Sequence, residues 1–481
     1  MNYKNYSIWL DWNKKTSYPN VQTDITTDVL IIGGGITGLT TAYFLKNHNL
    51  KITLVEMNKI SHGVSSKTTG KITYLQENIL SKIYYYHGLT KANNYLKSQY
   101  DAIRIIKGII ENENIKCDFE KNKSIIIDNN SKKFDKEVNI LKQLNVDFTI
   151  ENDSQKKLWV DNTYVFHPIK YLYQLADICT KSKIDIYENS KVTKIDKYNE
   201  IYEVTCNNFK IRAKKIVIAT HYPYFLFPTL LPFKSTTEKS YIKAYKTNNN
   251  YHFNSITISK PTISTRFWSD NKTVYKIVLG KAHNSSCKLN DLDNFYQLYS
   301  YANEKIDYLW SNNDIITNDA LPYIGKIHKD EDIYIGTGYN TWGMTNGTLS
   351  GYLISKMILN QNNEYKQLFD PLRIFNVGNL LNFPIIIGSN VSSFLKSKIK
   401  KNKSWYKSNL KFEKRQGKNV AIYIDDNKKE HIVYNLCPHL KCSLIFNEIE
   451  KTWDCPCHGS RFDIDGKCIQ GPSNYNITYK K

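Results

Sequence analysis

Near the C-terminal end, CPHLKC (Cys437 to Cys442) and CPCHGSRFD (Cys455 to Asp463) place four cysteines and two histidines within 22 residues. Thiolates and neutral imidazoles are ligands for soft and borderline metals, so this density points to a metal before disulfides. Stripped to its repeating part, the pattern is Cys437-x-His439, fifteen residues, then Cys455-x-x-His458. Two cysteines and two histidines can make a tetrahedral zinc site. One Cys and one His from each half can equally make a two-iron centre, with thiolates on one iron and imidazoles on the other. Cys442 and Cys457 are left over in both cases.

A second chemistry lies at the other end of the chain. TDVLIIGGGITGLTTAYFLKNHNLKITLVEMN (Thr27 to Asn58) reads as a buried strand, a tight turn, a helix and a second strand. Gly33, Gly35 and Gly38 have the dinucleotide fingerprint spacing. The first allows the turn, the second lets backbone approach a pyrophosphate, and the third packs helix on strand. The phosphates would lie on a helix N-terminus, and Glu56 at the end of the second strand would accept from ribose hydroxyls.

Elements must hold these groups in place, and 481 residues are too many for one core. Apolar content of 41% supports globular packing, and no apolar run is long enough for a spanning helix. No signal peptide is visible at the N-terminus, so the expectation is a soluble, cytoplasmic enzyme without a transmembrane segment. The net charge of +21 invites a nucleic-acid reading, but only six of 66 basic residues are arginine. Arginine is the base-reading and phosphate-forking residue, so no nucleic acid is expected and the lysines read as a solvated surface. Cys117, Cys179, Cys206 and Cys287 are scattered in apolar or mixed segments and read as buried thiols.

KKIVIATHYP (Lys214 to Pro223) is another buried strand ending in a small-residue turn at Thr220. EDIYIGTGYNTWGMTNGTLSG (Glu331 to Gly351) is a strand, a turn with Gly338, and a helix from about Met344. Together with the N-terminal fingerprint, these segments resemble the FAD-dependent D-amino-acid oxidase (glycine oxidase-like) family over roughly Asp24 to Arg373. The resemblance implies an FAD site at Gly33, Gly35, Gly38, Glu56, Thr220, Gly338, Trp342, Gly343 and Met344. It also implies Thr69 in the loop HGVSSKTTGKIT, and Val192 in KVTKI against the adenine. The cysteine cluster, followed by DGK and GPS (Gly471 to Ser473), resembles a Rieske domain. That resemblance assigns Cys437 and Cys455 to one iron of a [2Fe-2S] cluster and His439 and His458 to the other. Cys442 and Cys457 become a bridge between the loops, as in high-potential Rieske proteins, or free thiols in a reducing compartment.

The expected fold is therefore α/β: an FAD-binding Rossmann-like domain with an inserted mixed-sheet substrate domain, plus a C-terminal all-β Rieske domain. The expected limits are 1–375 for the oxidoreductase part, with the substrate subdomain at about 85–165 and 225–315. A linker at 376–404 and the Rieske domain at 405–481 complete the chain. The resemblance implies oxidation of an amine or amino-acid-like substrate by hydride transfer to flavin N5. Electrons would pass singly through the cluster, at about −150 to +300 mV, to an external acceptor protein or small redox carrier. Alternatives are a Rieske domain that feeds FAD from a donor protein, and a non-catalytic redox sensor or electron carrier. Arg266, in PTISTRFW, is the candidate clamp for a substrate carboxylate, with a structural ion pair as its other reading. Lys71 is the candidate cation near flavin N1 and O2.

Overall fold

The structure is a computed structural model that describes residues 3–128, 131–222, 231–270, 273–284, 305–373, 409–439 and 441–480, with Asn294 and Leu298. The expected linker at 376–404, and Cys287, lie outside the described residues.

The apolar strand Ile25–Ile32 is buried along its second half and sits in the middle of an eight-stranded sheet. Strands Ile52–Val55 and Phe209–Ile218 flank it, both parallel. Asp185–Tyr187 and Ile333–Thr337 extend the parallel run outwards. A sheet with parallel crossovers must be covered by helices. Helix Ile36–Leu45 follows the first strand and packs against helices Pro168–Lys181 and Gly343–Ile358. The approach to the last of these is close, since a Cβ on Gly351 would come within 2.6 Å of Thr40 Cβ.

A second, nine-stranded sheet is mixed: strand Phe253–Thr257 runs parallel to Glu120–Asp128, while its other pairings are antiparallel. At one edge lie strands Ser235–Thr247 and Tyr308–Thr317, paired antiparallel over ten residue positions. Directly opposed side chains share a face and alternate along each strand. Glu238 therefore faces with Asp314 and Ser240 with Asn312, while Lys239 with Asn313 and Tyr241 with Ser311 occupy the opposite face.

The C-terminal part is all strand and loop. Leu410–Arg415, Lys418–Ile424 and Glu430–Tyr434 form one antiparallel sheet. Ile445–Asn447, Thr452–Asp454, Arg461–Phe462 and Cys468–Gln470 form another. Ala421, Val433, Trp453 and Phe462, all fully buried, fill the core between them.

Candidate functional sites: a nucleotide-sized cavity and a cysteine–histidine centre

The turn after the first strand is tight because Gly33 adopts φ +111°, and a Cβ there would lie 2.5 Å from the Ala219 carbonyl oxygen. A Cβ at Gly38 would fall 1.9 Å from the Gly33 carbonyl oxygen, so helix and turn can meet only with glycine there. Gly35 is different: it caps helix Ile36–Leu45 with no side-chain hydrogen bond. Within 4 Å, a Cβ on Gly35 would meet only Ser65 Oγ. The Ile36 amide at the head of the helix donates to Ser65 Oγ at 3.2 Å, and the rest of the helix N-terminus borders open space, the condition for binding an anion.

That space is a cavity of about 910 Å³, near the upper end of the roughly 300–1,000 Å³ usual for ligand and cofactor sites. Gly33, Gly35, Glu56, Thr69, Lys71, Val192, Thr220, Trp342, Gly343 and Met344 all line it. The helix expected from about Met344 begins at Gly343, and its first turn borders the cavity. Glu56 accepts from the Gly34 and Asn58 amides, at 2.9 Å each. Burial raises its pKa despite those bonds.

Three of the sequence candidates are not on this wall. Gly38 packs helix against turn, as its spacing requires. Gly338, at φ +73°, is a turn residue packed on Thr317 and Tyr323. Arg266 is the clear correction. Its guanidinium donates to the carbonyl oxygens of Thr69 (2.7 Å), Phe166 (2.8 Å) and Gly70 (3.0 Å), and it sits over the Trp9 ring. It is 1% exposed and braces the cavity loop from behind, with Nε buried and without a partner. Lys71 reaches the wall, but its ammonium nitrogen is held by the Ser255 carbonyl (2.8 Å) and Ser264 Oγ (2.6 Å). Burial, then Arg266, pushes its pKa well down.

Other wall residues carried no sequence signal. His221 lines the cavity, and its Nε2 donates to the Asn313 carbonyl at 2.9 Å. Burial lowers its pKa to about 4, so the ring is neutral. Ile469, Gln470 and Gly471 bring the C-terminal part to the cavity's edge.

The cysteine–histidine loops close on each other in that C-terminal part. Cys442 and Cys457 form a disulfide between the loops. The Cys437 amide donates to the Cys442 carbonyl (2.8 Å), and the Cys455 amide to the Ser460 carbonyl (2.7 Å), so each loop is a closed turn. Cys437 and Cys455 remain free thiols, both buried and hydrogen-bonded to one another. The His439 and His458 rings lie 5.1 Å apart, centroid to centroid, nearly perpendicular. His458 Nδ1 is buried with no hydrogen-bond partner, and an orphaned imidazole nitrogen inside protein is the kind of atom a metal satisfies. Burial lowers the pKa of both imidazoles, that of His458 to about 4, with His439 adding to the effect there. Both are thus in the neutral form that binds a metal. The sulfurs of Cys442, Cys455 and Cys457 also lie within 4.8 Å of one another, but two of those three are tied up in the disulfide. Two thiols and two neutral imidazoles are left, and they fit a Cys₂His₂ two-iron cluster.

The two sites are joined through the outer face of the 235–247 and 308–317 strand pair. Lys239 donates to Asp454 (2.7 Å); Arg461 donates to Asp454 (3.1 Å) and Glu450 (2.7 Å); Ser311 donates to Glu450. All four charged side chains are at least nine-tenths buried, two of each sign. Asn313 Nδ2 donates to the Gly459 carbonyl at 3.0 Å, next to His458. Ile449 joins an apolar cluster with Tyr241, Tyr245 and Leu309.

Comparison with known proteins agrees with this division. The family described as FAD dependent oxidoreductase matches residues 28–357, and the Rieske [2Fe-2S] domain family matches residues 397–479. The Rieske 2Fe-2S iron-sulfur protein YhfW of Bacillus subtilis (strain 168) is 29% identical over 97% of this chain and 96% of its own length. Gamma-glutamylputrescine oxidoreductase of Escherichia coli (strain K12) is 22% identical over 72% of this chain and 87% of its own. Among solved structures, glycine oxidase from Geobacillus kaustophilus aligns with TM-score 0.62 at 13% identity, covering 73% of this chain and all of that one. L-proline dehydrogenase from P. horikoshii aligns with TM-score 0.61 at 16% identity, covering 73% of this chain and 98% of that one.

Proposed function

This chain belongs to the FAD-dependent oxidoreductase family and carries a C-terminal Rieske [2Fe-2S] domain, and from that premise we propose that it oxidises an amine or amino-acid-like substrate and delivers the electrons singly to an outside acceptor. Bound FAD supplies an acceptor for a hydride from the carbon beside nitrogen, and a Rieske centre supplies a one-electron relay of fairly high potential. The glycine turn and the N-terminus of helix Ile36–Leu45 would seat the dinucleotide; the wall at Trp342–Met344 brings a second helix N-terminus to the cavity, where it favours negative charge.

The observation that carries this reading is the covalent and hydrogen-bonded connection from cavity to cluster loop. It runs from the His221 ring to the Asn313 carbonyl, through that residue to its side-chain amide, and on to the Gly459 carbonyl beside His458. The buried ion network on the same face keeps the two parts from parting. Names of similar proteins support the substrate class, since glycine, L-proline and gamma-glutamylputrescine are all amines. The partner, a redox protein or small carrier, and a cytoplasmic setting belong to the same proposal and rest on the sequence features above.

The test is anaerobic. Holoprotein is photoreduced at the flavin, and the cluster is followed by absorbance and low-temperature EPR. Cluster reduction without added mediator is expected. A reduced flavin beside a persistently oxidised cluster sinks the proposed route. A cluster that reduces first with a donor protein, and then bleaches the flavin, reverses its direction.

A further inference from the structure

The inner face of the 235–247 and 308–317 strand pair has no role in the function described so far. Glu238 and Asp314 stand directly opposite each other in the ladder, and both line the cavity. Like charges at a directly opposed position destabilise a sheet unless something lies between them or one is protonated. Among the described residues neither carboxylate makes an ion pair. The one hydrogen bond found for either is from Asn312 Nδ2 to Asp314 Oδ2, at 3.0 Å.

A carboxylate pair alone does not define a binding site, but the next rung carries an independent sign of a ligand. Ser240 and Asn312 are also opposed, also line the cavity, and are 3% and 5% exposed. Ser240 Oγ and Asn312 Oδ1 are both buried with no hydrogen-bond partner. Leaving such atoms unsatisfied costs about 1–3 kcal/mol each. The Asn312 amide nitrogen already donates to Asp314, so its free atom is an acceptor. The four side chains therefore form a continuous surface rich in acceptors, open to the cavity, with donors in short supply.

We infer that Glu238, Asp314, Ser240 and Asn312 form the subsite for the protonated amino group of the substrate, and that the substrate is accordingly a cationic amine. An ammonium group brings three N–H donors and one positive charge, which is what two facing carboxylates and two orphan oxygens lack. Arginine is absent from the described cavity wall, and Arg266 lies behind it with Nη1 on three backbone carbonyls, so no guanidinium faces the cavity to fork a carboxylate. Lysines are present on the wall at 67, 71, 82, 133, 260 and 281. Lys82 and Lys260 act on Glu238, but only against the stronger effects of its burial and of Glu77. Asp314 has its pKa raised to about 7 by burial and then by Glu238, as expected of a pair lacking its cation. This inference rests on the amine-oxidising reading for its chemistry, but the subsite can be tested without turnover.

The experiment uses full-length protein carrying FAD and cluster. Binding of 1,4-diaminobutane, 1-aminobutane, 1-butanol and butanoate is measured by calorimetry and by flavin spectral perturbation, anaerobically. The same series is run on Asp314→Asn and Glu238→Gln, with FAD content, cluster absorbance and thermal midpoint as controls. The expected result is binding of the two amines in preference to the alcohol and the acid. Each variant should weaken the amines at least tenfold, leave the controls unchanged, and leave butanoate unweakened. Equal amine affinity in wild type and both variants overturns the subsite, as does a preference for butanoate. If amines bleach the flavin equally well in wild type and variants, the proposed function stands and the subsite fails. If diamine binds, is lost in the variants, and never bleaches the flavin, the subsite stands and the proposed function fails.

Discussion

The strand pair 235–247 and 308–317 has two faces with opposite electrostatic character. On the outer face the cations Lys239 and Arg461 are buried against the carboxylates Asp454 and Glu450, and Asn313 Nδ2 finds a carbonyl, while Arg461 Nη1 and Asn313 Oδ1 have no partner. On the inner face, one residue away along each strand, Glu238, Asp314, Ser240 and Asn312 have acceptors to spare and, among the described residues, no ion pair. Unpaired buried atoms occur on both faces, so the difference lies in charge: the outer face sets two cations against two carboxylates, and the inner face sets two carboxylates against each other.

The largest break in that contrast should come from Asp454→Leu. It leaves Lys239 and Arg461 buried with one carboxylate between them, a change that costs about 3–5 kcal/mol. Urea unfolding followed by tryptophan fluorescence measures it, and a loss under about 1 kcal/mol would reduce the outer face to an ordinary surface pairing. Acid should act on the same face. Burial pushes the Asp454 and Glu450 pKa values up, but Arg461 and Lys239 outweigh it, and both carboxyls end below their ordinary values. Carboxylates depressed in the folded state contribute stability that is fully present above the unfolded pKa and is lost as pH falls through the folded one. Docking should therefore hold from neutrality down to about pH 4 and weaken below it. Limited proteolysis across a pH series, comparing wild type with Asp454→Leu, reads this directly; release already at pH 6 would contradict it.

Asn313→Leu should have a smaller effect on stability, about 1–2 kcal/mol, because it orphans the Gly459 carbonyl without exposing a charge. Its larger signature should be kinetic: slower cluster reduction after flash photoreduction of the flavin, at unchanged cluster content. Unchanged kinetics would remove Asn313 from the electron route. Ser240→Ala should cost least and should not destabilise, since its hydroxyl has no partner to lose and its unsatisfied burial is removed. A penalty above 1 kcal/mol, by thermal unfolding, would mean that Ser240 is structural and that the inner face is less open than described.

How much of this was readable from the residues alone depended on distance along the chain. The cluster loops are legible because their candidate ligands and bridging cysteines lie within 22 residues and residue type dictates their chemistry. The glycine turn was legible for the same reason, since strand, turn, helix and Glu56 follow one another directly. Arg266 is one of six arginines and lies in the expected substrate region, which by itself points to a ligand contact. Its partners come from Trp9, Thr69, Gly70 and Phe166, which only the folded chain brings together. The Glu238–Asp314 pair was invisible for a related reason. Each acid is unremarkable in its own strand, and only the antiparallel register sets them face to face. Docking of the C-terminal part depends on contacts between residues more than a hundred positions apart, such as Lys239 with Asp454.

Alternation along the edge strands also restricts how this gene can change. Insertion or deletion of one codon within 235–247, with pairing preserved beyond it, would turn Lys239 toward the cavity and Glu238 toward the cluster domain. One such event would damage both faces together, whereas a point substitution can touch either alone. Loops elsewhere are free to drift in length, but these two strands should be inherited as a fixed count of residues.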